Sequence, residues 1–236
     1  MIQSNHMNKE QSMSPFASTH SAVRKLQLAT GLFAVCFAVP AVAQENPKYY
    51  GSVHLGQNDL RTWDANVDFG ATNVAGQLKL DRTLHLGLIA GREKDRTRLE
   101  LEYQRGSVKI NQVTLGPVSQ AVSGSGRYQA LTVGAYRTFE LTRDVNAFGG
   151  VALGWGSVSL PGLGAVSGCN CFNAASESGL VVQARIGAEY EISADKHVLL
   201  QYTWLRLPQA SASVSPPVRY DAKVLGAWGV GFRAGF

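Results

Sequence analysis

From about residue 44 onward, apolar and polar residues take turns along the chain. The C-terminus shows this most plainly. Val224, Trp228, Val230, Phe232, Ala234 and Phe236 share one parity with Gly226, while Lys223, Ala227, Gly229, Gly231, Arg233 and Gly235 share the other. A period of two marks a strand with unlike faces. In 77–91, Leu78, Leu80, Leu84, Leu86 and Leu88 alternate with Lys79, Asp81, Thr83, His85 and Gly87. In 98–104, Leu99, Leu101 and Tyr103 alternate with Arg98, Glu100, Glu102 and Gln104. In 180–192, Leu180, Val182, Ala184, Ile186, Ala188 and Tyr190 alternate with Gln183, Arg185, Gly187, Glu189 and Glu191. Weaker alternation over 49–56, 128–141, 147–160 and 197–207 brings the count to eight strands.

The connections alternate as well. Short polar turns fall at Glu93-Lys94-Asp95, Thr142-Arg143-Asp144 and Ala194-Asp195-Lys196, and long segments at 57–76, 109–126, 161–179 and 208–222. Short and long links in turn describe an antiparallel up-and-down meander, with the short turns and both termini on one side. One face of each strand carries large apolar side chains, and the other carries glycines with scattered charges. An inward apolar face would place every aromatic inside a narrow barrel. The reverse assignment turns the apolar band toward lipid and leaves a small polar lumen. A band ~25 Å tall, crossed by tilted strands, takes about ten residues per strand. That count sets Arg82 at the upper edge of the band. Tyr49, Phe139, Phe148, Tyr190 and Phe236 then read as an aromatic girdle on the short-turn side. The fold predicted is all-β: an eight-stranded antiparallel transmembrane β-barrel, closed so that no strand edge is left unpaired in lipid.

The N-terminus has a different pattern. Arg24 and Lys25 precede an apolar run from Leu26 to Val39, then Pro40 and Ala41-Val42-Ala43. A basic flank, a short apolar core and an A-x-A site predict a cleaved signal peptide. The organisation predicted is therefore a signal peptide over 1–43 and a barrel domain over 44–236, with Met1, Met7 or Met13 as the start. Of the whole chain 45% is hydrophobic and only 17% charged, and 25 residues are glycine. No apolar run reaches the ~20 residues of a mature membrane helix, which excludes a polytopic helical protein. Past residue 43 the chain holds 19 basic and 16 acidic residues. That spread excess is too small to argue for nucleic acid, and none is expected as a partner.

The signal peptide, the eight alternating strands, the segment Arg98-Leu99-Glu100-Leu101-Glu102-Tyr103 and the final strand ending in Phe236 resemble the small outer-membrane β-barrels. That group includes the membrane domain of OmpA, OmpX and the opacity proteins. The resemblance covers essentially the whole mature chain. It implies a Gram-negative outer membrane, periplasmic turns and termini, and outward-facing loops. It also implies that Trp228, Val230, Phe232 and Phe236 form the signal read by the barrel-assembly machinery, after escort by periplasmic chaperones. Unlike in OmpA, no peptidoglycan-binding domain is expected after Phe236.

Two sets of residues are candidates for chemistry. Arg98, Glu100, Glu102, Arg185, Glu189 and Arg233 fall on the lumen parity, with His54 and His85. They read either as mutually satisfied charges filling an eight-strand lumen, the expectation adopted, or as an ion path. Cys169 and Cys171 lie in the third long segment and read as a disulfide within the loop, with a bond to another molecule as the alternative. Asp59, Asp64 and Asp68 lack calcium-loop spacing and read as solvated loop acids. No cofactor and no metal site are expected. No histidine stands in a hydrolase-like arrangement, so the expected role is non-enzymatic. That role is envelope integrity or surface contact with a host or environmental ligand through the loops, with outer-membrane lipid as the constant partner. A narrow channel is the alternative, ahead of a lipid-modifying enzyme.

Overall fold

The computed structural model describes residues 48–164 and 168–236. The expected signal peptide over 1–43 lies outside the described residues. Twelve strands form one antiparallel sheet: β1 (Lys48–Asn58), β2 (Thr62–Asp68), β3 (Asn73–Asp81), β4 (Leu84–Lys94), β5 (Thr97–Leu115), β6 (Val118–Glu140), β7 (Val145–Leu160), β8 (Ala175–Ser193), β9 (Lys196–Arg206), β10 (Ser211–Ala212), β11 (Val218–Tyr220) and β12 (Val224–Gly235). Eight of them close on themselves in the order β5-β4-β1-β12-β9-β8-β7-β6, with β6 returning to β5. The first strand pairs with the last, Tyr50 opposite Gly235. Both ends of the barrel wall therefore lie beside the short turns, as the alternation of links predicted.

Outward positions of these eight strands carry the apolar band. Leu55, Leu88, Leu101, Val133, Val151, Ile186, Leu200 and Val230 are each between 41% and 58% exposed, apart from Val151 at 63%. Tyr49, Phe139, Tyr190 and Phe236 edge it at the short-turn end, where aromatic side chains sit at headgroup depth. Phe148 does not join them. It is buried in the lumen, and a Cβ on Gly187 of the adjacent strand would lie 2.6 Å from its ring. A small residue at 187 leaves the space that turns this aromatic inward. The turn between β4 and β5 has Asp95 and Arg96 at φ 50° and 62°. Two successive left-handed residues make the hairpin turn whose twist matches the strands on either side.

Of the remaining four strands, β2, β10 and β11 lie in segments that alternation alone assigned to long links, and β3 takes the first part of the predicted strand 77–91 with the end of the link before it. The segment 109–126 is not a loop: β5 and β6 run on through it to a tight turn at Gly116-Pro117. β3 pairs with the upper half of β5, β2 with β3, and β11 with β2, while β10 lies along β8. Strands β5 to β8 are thus shared by two stacked tiers. The lower tier is completed by β4, β1, β12 and β9, and the upper by β3, β2, β11 and β10.

The predicted strand 77–91 is two strands. From Asp81 to His85 is four steps, against three from Lys109 to Gly106 on the paired strand. One extra residue exchanges the two faces of a strand. Leu78 and Leu80 are consequently buried, while Leu84, Leu86 and Leu88 face outward. Arg82 and Thr83 step out of the ladder here. The Thr83 amide donates to Asn58 Oδ1 at 3.1 Å, and the Thr83 hydroxyl donates to the Ser107 carbonyl.

The upper tier encloses an apolar core. Trp63, Leu78, Ile110, Tyr128, Leu160, Phe172, Leu205, Leu207, Tyr220 and Leu225 are among its buried members. Trp63 donates its indole N–H to the Asp221 carbonyl at 2.7 Å, so its polar edge is satisfied. Burial pushes the Tyr220 phenol well above its ordinary pKa. It stays neutral and donates to the Asn173 carbonyl at 3.3 Å. Replacing Trp63 by Ala removes the largest side chain of this core, a change that costs about 3–5 kcal/mol in well-packed interiors. Trp63→Ala is expected to lower the urea midpoint of the upper tier while the barrel's circular dichroism stays intact.

Candidate functional site

The lower tier gathers the charged residues that share the lumen parity. Arg185 and Arg98 come from β8 and β5, and both are fully buried. Arg185 is ion-paired with Glu100, and its Nη1 lies 3.3 Å from Glu102. Arg98 is ion-paired with Glu189. Arg233 reaches Glu93 at 2.9 Å and Glu189 at 3.5 Å. The six residues on the lumen parity lie in one layer as two ion-paired groups, Arg185 with Glu100 and Glu102, and Arg98 and Arg233 with Glu189, on β5, β8 and β12. Alternation places them there, because every second residue of a barrel strand points inward.

The network recruits residues that the sequence reading did not assign to it. Glu93, expected in the Glu93-Lys94-Asp95 turn, lies near the end of β4 on the inward parity of His85, Gly87, Ile89 and Gly91, and its carboxylate bridges Arg98 and Arg233. Carrying that parity two residues past Gly91 would have found it. Tyr50 donates to Glu100 at 2.6 Å. Gln183 donates to Glu102 at 2.6 Å and accepts from Gln104 at 2.6 Å. Guanidinium groups also lie over aromatic rings: Arg185 4.3 Å from the Tyr136 centroid, Arg98 5.2 Å from Phe148, and Arg233 4.9 Å from Tyr50. Such stacking supports a cation in a space too narrow for its hydration shell.

Above this layer His54 and His85 stack at 5.5 Å between centroids, and His85 Nδ1 lies 2.9 Å from the Tyr128 hydroxyl. Gly87 is required beside them, since a Cβ there would stand 2.0 Å from the His54 ring. The lumen is then closed by the apolar core of the upper tier. Arg98, Glu100, Arg185 and Arg233 line a cavity of about 10 Å³. That is about the minimum that holds one water.

The other candidates are dispersed. Trp228, Val230, Phe232 and Phe236 all face outward from the end of the chain. Cys169 and Cys171 are bonded to each other, with Cys171 buried against the upper core. Asp59, Asp64 and Asp68 do not converge. Asp59 accepts from Tyr202, Asp64 from Gln77 and Asp68 from the Gly70 amide. Among the described residues no cluster of three or more metal-ligating side chains occurs.

The closed sheet and its lipid-facing band agree with the comparisons to known proteins. The profile of the family described as "Outer membrane protein beta-barrel domain" matches residues 29–236. The chain belongs to that family. It is a protein of the Gram-negative outer membrane. Among solved structures it is similar in fold to the outer membrane protein OprG from Pseudomonas aeruginosa, at TM-score 0.59 and 12% identity, covering 82% of this chain and 98% of that one. It is similar also to Neisserial surface protein A, at TM-score 0.50 and 14% identity, covering 81% of this chain and 100% of that one. No curated protein sequence matches the chain.

Breaking a buried ion pair by removing one partner costs about 3–5 kcal/mol, because the other charge is left without compensation. Glu100→Gln or Arg185→Met alone is expected to lower the unfolding midpoint of the refolded barrel strongly. The double variant is expected to lose less than the sum of the two, a non-additivity that a double-mutant cycle in urea measures directly.

Proposed function

We propose that this protein is a sealed, non-enzymatic barrel that acts at the cell surface, in envelope integrity or adhesion, through the sheet it raises above the membrane. The observation that carries the reading is the filled interior. A conducting barrel needs a continuous column of water, whereas here an ion-paired layer, with a cavity of about 10 Å³ among its arginines, lies beneath an apolar core. The alternative, a narrow channel gated by Glu100 and Arg185, requires both tiers to open. Against an enzyme stands the position of the histidines. His54 and His85 are enclosed in the lumen, and His197 lies at the periplasmic end of β9, away from the outer rim where substrates arrive. Export by the signal peptide over 1–43 and recognition of the Trp228–Phe236 strand by the assembly machinery belong to the same proposal.

The contact surface of this reading is the outward rim. The β2–β3, β5–β6 and β10–β11 turns each expose one large apolar side chain: Phe69 at 44%, Val118 at 43% and Val214 at 64%. These turns are neighbours. The Asp68 amide donates to the Pro217 carbonyl, and the Gly116 amide to the Ala75 carbonyl. Apolar side chains held at the tips of a rigid sheet suit a protein or glycan partner.

Two outcomes are expected. Folded protein in a planar bilayer stays electrically silent; reproducible unitary steps that change with Glu100→Gln would make it a channel. Cells displaying Phe69→Ser/Val118→Ser/Val214→Ser are expected to lose attachment to host or matrix surfaces while keeping wild-type levels of folded barrel. Unchanged attachment would remove the rim from the account.

A further inference from the structure

The upper edge of the apolar band differs around the barrel. On β7, β9 and β12 it carries exposed Trp155, Trp204 and Trp228. On the side built from β2 to β6 it carries cations instead. Arg61, Lys79, Arg82, Arg105, Lys109 and Arg127 are all exposed. None of the six makes an ion pair with another described residue. The nearby acids are already engaged: Asp81 accepts from Asn111, and Asp64 pairs with Lys223 at 3.7 Å.

The cations are grouped by the fold. Arg61, Lys79 and Arg82 line one open groove of about 590 Å³, with Thr62, Gln77, Gln112 and Thr114 supplying neutral hydrogen-bonding groups; Leu80 and a single carboxylate, Asp81, complete the lining. Arg105, Arg127 and Lys109 continue the patch along the β5–β6 pair, with Arg105 opposite Gln129 and Ser107 opposite Arg127. Directly below, the same strands turn apolar. Leu84, 73% exposed, follows Arg82 by two residues, and Arg105 stands opposite Leu86. A ligand that fits must be anionic at one end and apolar at the other.

We propose that this groove binds the phosphate groups of outer-leaflet glycolipid headgroups, with the acyl chains lying on the Leu84–Leu88 face of β4. Arg61, Lys79 and Arg82 hold the phosphate, and Arg105, Lys109 and Arg127 extend the positive field along the headgroup layer. Arginine suits this role because its planar fork donates two parallel bonds to phosphate oxygens. Unpaired cations at the edge of a lipid band are otherwise a poor choice, since each stays solvated beside a hydrocarbon layer without a counter-charge. The barrel is thereby fixed to one lipid on one side, and the three tryptophans anchor the other.

The test titrates folded protein in dodecylphosphocholine micelles, by calorimetry, with diphosphorylated lipid A, dephosphorylated lipid A, inorganic phosphate and heparin. Diphosphorylated lipid A is expected to bind most tightly, with affinity falling as salt rises. The triple variant Lys79→Gln/Arg82→Gln/Arg105→Gln is expected to weaken it on the order of a hundredfold at low salt, since each cation near an anionic surface contributes about fivefold. Arg206→Gln, an exposed cation on β9, is expected to leave it unchanged. All three altered side chains are exposed, and heat-modifiable migration on gels verifies the barrel. Equal binding of the dephosphorylated lipid, or affinity of the triple variant within about twofold of wild type, overturns the proposal. Tighter binding of heparin than of lipid A, lost in the triple variant, assigns the patch to a sulfated glycan and overturns it equally. So does free phosphate binding as tightly as the lipid.

Discussion

A backbone amide in hydrocarbon has no water to bond, so every N–H and C=O in the membrane must find its partner within the protein. In this chain two seams meet that requirement. Tyr50 to Asn58 pairs with Ala227 to Gly235, and the long β5 pairs on one side with β4 and on the other with β6. Once the sheet is closed, the direction of every side chain follows. Odd and even positions are committed to lipid or lumen, and the space inside is fixed at the width that eight strands allow. The filling of the lumen, its ion pairs and its glycines answer to that width.

The interior has two chemistries because the shared strands change character along their length. On β5 the inward residues run Arg98, Glu100, Glu102 and Gln104, then Val108, Ile110 and Val113. On β8 they run from Glu189, Arg185 and Gln183 to Val181. The polar layer lies within the membrane and the apolar one above it, the opposite of a soluble protein set on a lipid surface. Within the membrane the outer face is already apolar, and buried charge distinguishes inside from outside and fixes register. Above it, water surrounds the sheet, and the hydrophobic effect again favours an apolar centre.

Most of this was legible from parity alone. The strands, their order, the closed barrel and the six lumen charges follow from a period of two with short and long links in turn. The cap was not legible, because its signal is weak where the pattern is short. β10 has 2 residues and β11 has 3, too few for any alternation to stand out. The break at Arg82-Thr83 is invisible to a count of parity, since the leucines keep their even numbering while one extra residue exchanges their faces. Phe148 misled for a related reason. It stands near a strand end like the girdle aromatics, and only Gly187 on the next strand opens the space into which it turns. Glu93 was hidden by its closeness to a turn of charged residues, Lys94 and Asp95 among them.

The two tiers also answer differently to temperature. Hydrophobic association weakens on cooling, so the apolar core around Trp63 and Phe172 loses part of its driving force in the cold. Buried ion pairs behave otherwise: the cost of stripping water from charge falls as temperature rises. Between Asn58 and Leu84, and again between Arg206 and Val224, the chain leaves one tier for the other through short segments of two to four residues before the next strand or core position begins. Cooling therefore weakens the cap more than the barrel beneath it, while β5 to β8, unbroken through both tiers, keep the two joined.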